Sequence, residues 1–184
     1  GSSGQSPSPV PLVLSLHPDP INFPPGFPFL HSFRTFKTME LLISPVGKRQ
    51  LLTEIQKLPD SDLLMRRGHF EVYLSQLGDR PTLLREIGRL REETFRSVGE
   101  GTGKALDIDE FDRYYHNLFI WDRQAGRIVG GYRMGPGREI VRRRGPEQFY
   151  LHSLFDVHPA AQPLLAQSVE LGRSYIEEDY QRGY

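Results

Sequence analysis

The 184 residues supply enough chain for about one domain with an appendage. Lys plus Arg and Asp plus Glu each total 23, so the formal charge is zero, which argues against a chain built to coat nucleic acid. There is no cysteine, which excludes a disulfide scaffold, a cysteine-ligated metal centre and a thiol nucleophile and fits a reducing cytoplasm.

No apolar run approaches the roughly 18 residues that a membrane span needs. Residues 10–16 (VPLVLSL) contain a proline and lack both a basic flank and a small-residue cleavage site, so no signal peptide is expected.

Composition changes near residue 46. Residues 1–45 hold nine of the fifteen prolines and only four charged side chains, Asp19, Arg34, Lys37 and Glu40. Gly1-Ser2-Ser3-Gly4 reads as a cloning remnant or a flexible start. Prolines across 18–28 (PDPINFPPGFP) repeatedly fix φ and remove donors, so this stretch forms neither a helix nor a central strand. Its phenylalanines suit a leader or linker draped over something apolar, or a segment that docks on a partner or a membrane surface.

Beyond residue 46 the elements follow in order. Residues 48–58 (KRQLLTEIQKL) place Leu51, Leu52, Ile55 and Leu58 on one helical face. Residues 70–74 (FEVYL) alternate as a strand does. Pro81 opens a helix in which Leu83, Leu84, Ile87, Leu90 and Phe95 keep helical spacing up to Gly99. A glycine-rich turn and an acidic stretch, 107–112, come next. Residues 115–122 and 127–134 flank a short turn and read as a β-hairpin. Residues 138–144 predict a short helix with a basic face, 149–155 are ambiguous, 158–167 predict a broken helical stretch, and 168–177 predict a strand. The fold class is α+β (α/β), with much of the sheet antiparallel.

Asp107, Asp109, Glu110 and Asp112 form the densest acidic cluster. Four carboxylates so close suit a metal, a cationic amine or one raised-pKa base, or else a solvated loop. The calcium-loop spacing fails, because Phe111 and Arg113 occupy positions that need a ligand and a glycine. Arg91 and Phe95, four apart, share a helix face. Arg133 lies within an otherwise apolar strand, where an unpaired charge is expensive, so a network with Glu170 or with Asp109 and Asp112 is expected. Glu170 and Arg173, three apart on a strand, are expected on opposite faces, each with its own partner. His116 is a general-base candidate, although lone histidines are more often structural. Trp121 reads as core. The run Arg142-Arg143-Arg144 suits solvation, or an acidic carrier protein, a phosphate or an anionic membrane. Gly130-Gly131 predicts a bulge or a close backbone approach. Neither a phosphate loop nor a G-x-S-x-G or HExxH motif is present.

The order R-x-x-x-F (Arg91, Phe95), D-x-x-D (Asp109, Asp112), a hairpin arginine (Arg133) and E-x-x-R (Glu170, Arg173) resembles the GNAT-fold N-acyltransferases over about residues 48–184. The resemblance is to the group that makes ornithine lipids and carries a haemolysin label, and it extends to the acyl-homoserine-lactone synthases. Nothing in the chain resembles a pore-forming segment. In some bacterial relatives such a module follows a phospholipid-synthesis acyltransferase domain, and residues 48–74 resemble the connector of those fusions. This divides the chain into a leader (1–45), a helical connector (46–66) and the beginning of a GNAT-like domain (67–184).

The resemblance implies acyl transfer from an acyl-carrier-protein or CoA thioester to an amine such as ornithine, with no bound cofactor and no metal. The implied partners are acyl-carrier protein and an amine-bearing lipid precursor, and the implied place is the cytoplasm or the periphery of the inner membrane. Asp109 and Asp112 would hold or deprotonate the amine, with Glu170 as the other candidate base. Arg133 and Arg173 would orient the carboxylates, and Arg91 and Phe95 would line the mouth or acyl path. Gln181, Arg182 and Gly183 would begin the donor-phosphate loop, whose following helix the sequence does not include. On this reading the 184 residues alone are expected to be inactive. An ordinary CoA-dependent acetyltransferase and a non-catalytic GNAT-like interaction module are the alternatives; the second predicts a stable oligomer indifferent to Asp109→Asn and Glu170→Gln.

Overall fold

A computed structural model describes residues 39–181; the leader up to residue 38 and residues 182–184, including Arg182 and Gly183, lie outside the described residues. Helix α1 (Lys48–Ile55) precedes strands β1 (Leu63–Arg67) and β2 (Phe70–Gln76). The long helix α2 (Pro81–Ser97) follows, then the hairpin β3 (His116–Asp122) and β4 (Arg127–Pro136). Helix α3 (Gly137–Arg144), the short α4 (Gln162–Leu165), strand β5 (Val169–Ile176) and α5 (Glu178–Gln181) complete the order. The five strands form one antiparallel sheet in sequence order, the α+β arrangement of a GNAT-like fold.

Period-2 alternation decides which side chains face inward. Tyr73, Phe119, Trp121 and Tyr175 are buried on one face, where Leu51, Ile55 and Leu58 and the α2 residues Leu83, Leu84, Ile87 and Leu90 cover them. Leu52 departs from its expected face and is 45% exposed, because the buried stripe of α1 follows Leu51 and Ile55. Strand β1 is absent from the sequence reading. Four of its five residues are exposed, so it carries no apolar alternation to detect. A second cluster, Tyr115, Ile140, Phe149 and Leu165, packs beyond the end of the hairpin. Gly130 and Gly131 sit where neighbouring strands approach closely: a Cβ on Gly130 would come to 3.1 Å from Ile176 Cα. Among the described residues no helix is long and apolar enough to cross a membrane.

Two features carry the acidic stretch to the sheet. Gly88 on α2 has no Cβ, and one placed there would stand 2.7 Å from Ile108 Cγ1, so the 107–109 backbone packs directly on the helix. The Asp107 amide donates to Gly88 O at 2.9 Å. Buried Glu92 then accepts from the Thr102 and Gly103 amides and from Arg96, fastening the glycine-rich turn to α2. Burial alone would raise the Glu92 pKa, but the Thr102 and Arg96 hydrogen bonds outweigh it and hold it low.

Candidate active site

Asp109 and Asp112 first make a local structure. They bracket a 3₁₀ turn at Glu110–Arg113 as a capping box. Asp109 Oδ1 accepts from the Phe111 amide at 2.9 Å, and Asp112 Oδ2 accepts from the Asp109 amide at 3.0 Å. The D-x-x-D spacing therefore has a backbone reason as well as a chemical one.

Each carboxylate also meets an arginine from a distant element. Arg91, on the inner face of α2 and fully buried, donates to Asp112 Oδ1 at 2.7 Å and to Asn117 Oδ1 on β3 at 2.6 Å. Arg133, register partner of Asn117, donates to Asp109 Oδ1 at 2.5 Å and stands 3.4 Å from Asp112 Oδ2. Its guanidinium lies 5.0–5.5 Å from the ring centres of Phe111, Tyr115 and Tyr150. These rings favour the cation and exclude water from its other side. The buried arginine of β4 thus finds partners for its charge in Asp109 and Asp112, while no ion pair joins it to Glu170.

Arg173 enters by a departure from strand regularity. Gly131 pairs with Tyr175 and Arg133 pairs with Gly172, so β5 carries one residue more than β4 between them. At this bulge Arg173 takes a φ of 53°, the one non-glycine residue with positive φ among the described residues. The bulge cancels the alternation that would have sent Arg173 and Glu170 to opposite faces. Arg173 Nε sits 2.8 Å from Asp107 Oδ2, an ion pair off the hydrogen-bond line that leaves both atoms without a hydrogen bond. Its Nη2 lies 3.4 Å from Asp109 Oδ2, and its Nη1 3.4 Å from the Tyr150 hydroxyl.

Glu170 faces the same end of the sheet but has a different occupation. It accepts from the Tyr115 hydroxyl, from the Tyr150 amide at 3.1 Å and from the Leu151 amide at 2.8 Å. It therefore caps the turn at 150–153 and ties it to β5; no ion pair joins it to Arg173. Burial and then the Glu170 hydrogen bond raise the Tyr115 hydroxyl pKa, so that hydroxyl stays protonated.

The electrostatics separate the remaining carboxylates. Burial pushes Asp109 up, but the hydrogen bond and charge of Arg133, then the charge of Arg173, outweigh it and hold Asp109 below the usual carboxylate range. Burial dominates at Asp107, which stays above that range despite Arg173, Arg91 and Arg133 nearby. Among the described residues no group of three His, Asp or Glu side chains is placed to hold a metal ion, since the site's aspartates are turned to guanidinium groups.

Phe95 is half-buried one turn along α2 from Arg91. Gln181 is exposed and its amide donates to Ile176 O at 2.6 Å, while Arg182 and Gly183 fall outside the described residues. His116 alternates with Asn117 and so faces the other side of the sheet; burial lowers its pKa. Trp121 is core, at 1% exposed, and Arg142, Arg143 and Arg144 are exposed on α3. The sequence reading did not single out Asn117 or Tyr150. Asn117 carried a signal, a polar residue on the buried parity of Phe119 and Trp121; Tyr150 carried none. Two cavities, about 220 Å³ beside Phe111 and His152 and about 320 Å³ between α1 and Trp121, are lined by neither Asp109, Arg133 nor Arg173.

Comparison with known proteins matches residues 90–184 to the family described as an acetyltransferase (GNAT) domain. A glycine N(alpha)-acyltransferase of Phocaeicola vulgatus is 38% identical over 149 residues, 78% of this chain and 45% of that protein. One of the same name from Bacteroides thetaiotaomicron is 36% identical over 78% of this chain and 44% of its own length. The chain thus spans less than half the length of these curated relatives. No solved structure matches it significantly. With its second half matched throughout and its sheet in the corresponding arrangement, the chain belongs to the GNAT acetyltransferase-domain family.

Proposed function

We propose that this protein belongs to an N-acyltransferase that moves an acyl group from a thioester to the amine of an amino acid, glycine or ornithine, on the way to an aminolipid. The observation that carries the reading is the buried chain Arg91–Asp112–Arg133–Asp109–Arg173, closed at the α2 end and open to solvent at Asp109 and Arg173. The names of the two relatives support an α-amine as acceptor, and the residue pattern supports the ornithine-lipid alternative.

Asp109, kept ionised, holds the acceptor ammonium. Asp112, Arg91 and Asn117 fix the Asp109 turn, and Glu170 fixes the 150–153 turn above it; these are positioning residues. Asp107 is the carboxylate best matched to take the ammonium proton, directly or through water, because burial has raised its pKa. The freed amine attacks the thioester carbon. A C–N bond forms, the C–S bond breaks, and the nitrogen gives up its second proton, which the departing thiolate takes up to leave as a thiol. Phe95 borders the acyl path, and Gln181 lies at the start of the segment assigned to the donor phosphate. The exposed arginines of α3 favour an acidic acyl-carrier protein over free CoA as donor.

The protein as its source cell makes it, incubated with acyl-carrier-protein or CoA thioesters and with glycine or ornithine, is expected to yield the N-acyl amino acid by mass spectrometry. Asp109→Asn is expected to lower kcat/KM at least about 100-fold, the scale of a lost charge-assisted contact to the reacting group. Absence of N-acyl product from every pairing of donor and acceptor refutes the reading.

A further inference from the structure

The three arginines of the network are not equally used. Arg91 makes hydrogen bonds of 2.7 and 2.6 Å, and Arg133 makes one of 2.5 Å, the short lengths of charge-assisted bonds. Arg173 has no hydrogen bond of that length; its one close contact, Nε to Asp107 Oδ2 at 2.8 Å, lies off the hydrogen-bond line. Its two hydrogen bonds are both 3.4 Å. A guanidinium offers five donors in a rigid fork, so Arg173 keeps donor capacity that these long contacts leave unused.

Its backbone is the strained point of the site. A non-glycine residue at φ 53° is strained and persists where the surroundings over-determine it. What the strain achieves is direction: the bulge turns Arg173 to the side of Asp109. Exposure follows the same division. The side chains of Arg91, Asp112 and Arg133 are at most 3% exposed, whereas Arg173 and Asp109 are 22% and 26% exposed. The open end therefore presents one cation and one anion, 3.4 Å apart. Asp107, Asp109 and Asp112 balance Arg91, Arg133 and Arg173 in charge, so a ligand without net charge leaves the buried group balanced, and a bare ammonium does not.

We propose that Arg173 and Asp109 form a clamp for a zwitterion: Arg173 takes the acceptor's α-carboxylate while Asp109 takes its α-ammonium, so the acyl acceptor is an α-amino acid whose carboxylate is free. This rests on the N-acyltransferase reading and assigns Arg173 as its specificity-determining residue. Tyr150, whose ring centre lies 5.1 Å from the Arg173 guanidinium, adds a cation–π contact to it.

The test compares glycine, glycinamide and methylamine, similar in size and each with a primary amine. With the native protein and an acyl thioester, kcat/KM for glycine is expected to exceed that for glycinamide by about 10- to 100-fold, the scale of a hydrogen-bonded charge pair, and the difference is expected in KM. Arg173→Met is expected to erase that ratio, and Arg173→Lys to restore part of it. A ratio within about threefold of unity in the native protein overturns the clamp and leaves the N-acyltransferase reading standing. Binding decides independently of turnover. In a titration of this chain followed by arginine side-chain ¹⁵N resonances, glycine is expected to shift the Arg173 Nε–H signal and glycinamide to leave it in place. Equal response to both, or to neither, overturns the clamp even if no amine is acylated.

Discussion

Arg91→Met asks whether the buried network holds the fold together as the geometry implies. Methionine keeps most of the apolar stem and removes the guanidinium. Asp112, itself fully buried, then keeps only the Asp109 amide and Arg133 at 3.4 Å, and the Asn117 side-chain oxygen loses its donor. Breaking a buried ion pair from one side costs about 3–5 kcal/mol, because the surviving charge stays out of water. The Asn117 acceptor adds about 1 kcal/mol or more. A loss of about 4 kcal/mol is a large share of the roughly 5–15 kcal/mol that a domain commands. At an m-value of about 2 kcal/mol/M the urea midpoint falls by about 2 M. Asp112→Asn strands the Arg91 charge in the same way and is expected to cost a similar amount. The double variant leaves no unpaired charge between the two positions, so its cost falls below the sum of the singles by about 2 kcal/mol. A single-variant loss under about 1 kcal/mol, or strict additivity in the cycle, refutes the network as a coupled unit.

Two further outcomes follow from the same geometry. Burial, then Glu71 for Tyr73 and Asp122 for Tyr180, pushes both phenols from an ordinary 10.0 to about 12. The fold favours their protonated forms, so this stability is whole below pH 10 and is lost as pH rises through about 12. Urea unfolding at a series of alkaline pH values is expected to show the fall, with Tyr73→Phe flattening it; full tyrosine ionisation near pH 10 in a still-folded chain contradicts it. Tyr115→Phe removes the hydroxyl that donates to Glu170 and accepts from the Tyr150 amide at 3.0 Å. It is expected to cost about 1–2 kcal/mol and to speed amide exchange at Tyr150 and Leu151; unchanged exchange there shows that Glu170 holds the turn without it.

What the sequence reveals and what it hides divide along the distance over which each feature is determined. The α2 helix and the β3–β4 hairpin rest on local periodicity, and both stand where the spacing puts them. A buried charge demands a partner, and that demand limits Arg133 to Glu170 or to Asp109 and Asp112; the fold selects the aspartates. Strand β1 escapes because its side chains face solvent and its pairing with β2 is made by backbone groups, which any residue supplies. The Arg173 bulge escapes for a stronger reason. Strict alternation is the rule by which a strand is read, and a single inserted residue reverses it without leaving a mark in composition. The Arg173–Asp107 contact spans 66 positions between two segments whose meeting depends on Gly88 and on the register of β5.

That reversal bears on whether the network is merely structural. The capping box, Arg91, Asp112, Asn117 and Arg133 are held together by short contacts, with Arg91 Nε and Asn117 Nδ2 left without a hydrogen bond, and Glu170 fastens its own turn. Arg173 and Asp107 add a second pair at a cost: a left-handed backbone residue, a guanidinium with no short hydrogen bond, and a carboxylate whose burial raises its pKa. Two apolar side chains of similar size there would commonly be as stable or more so. A feature that weakens the fold, requires a bulge to exist and lies beside the exposed edge of Asp109 is what the proposed clamp accounts for: on that proposal an amino acid's own carboxylate supplies the short contacts that Arg173 lacks.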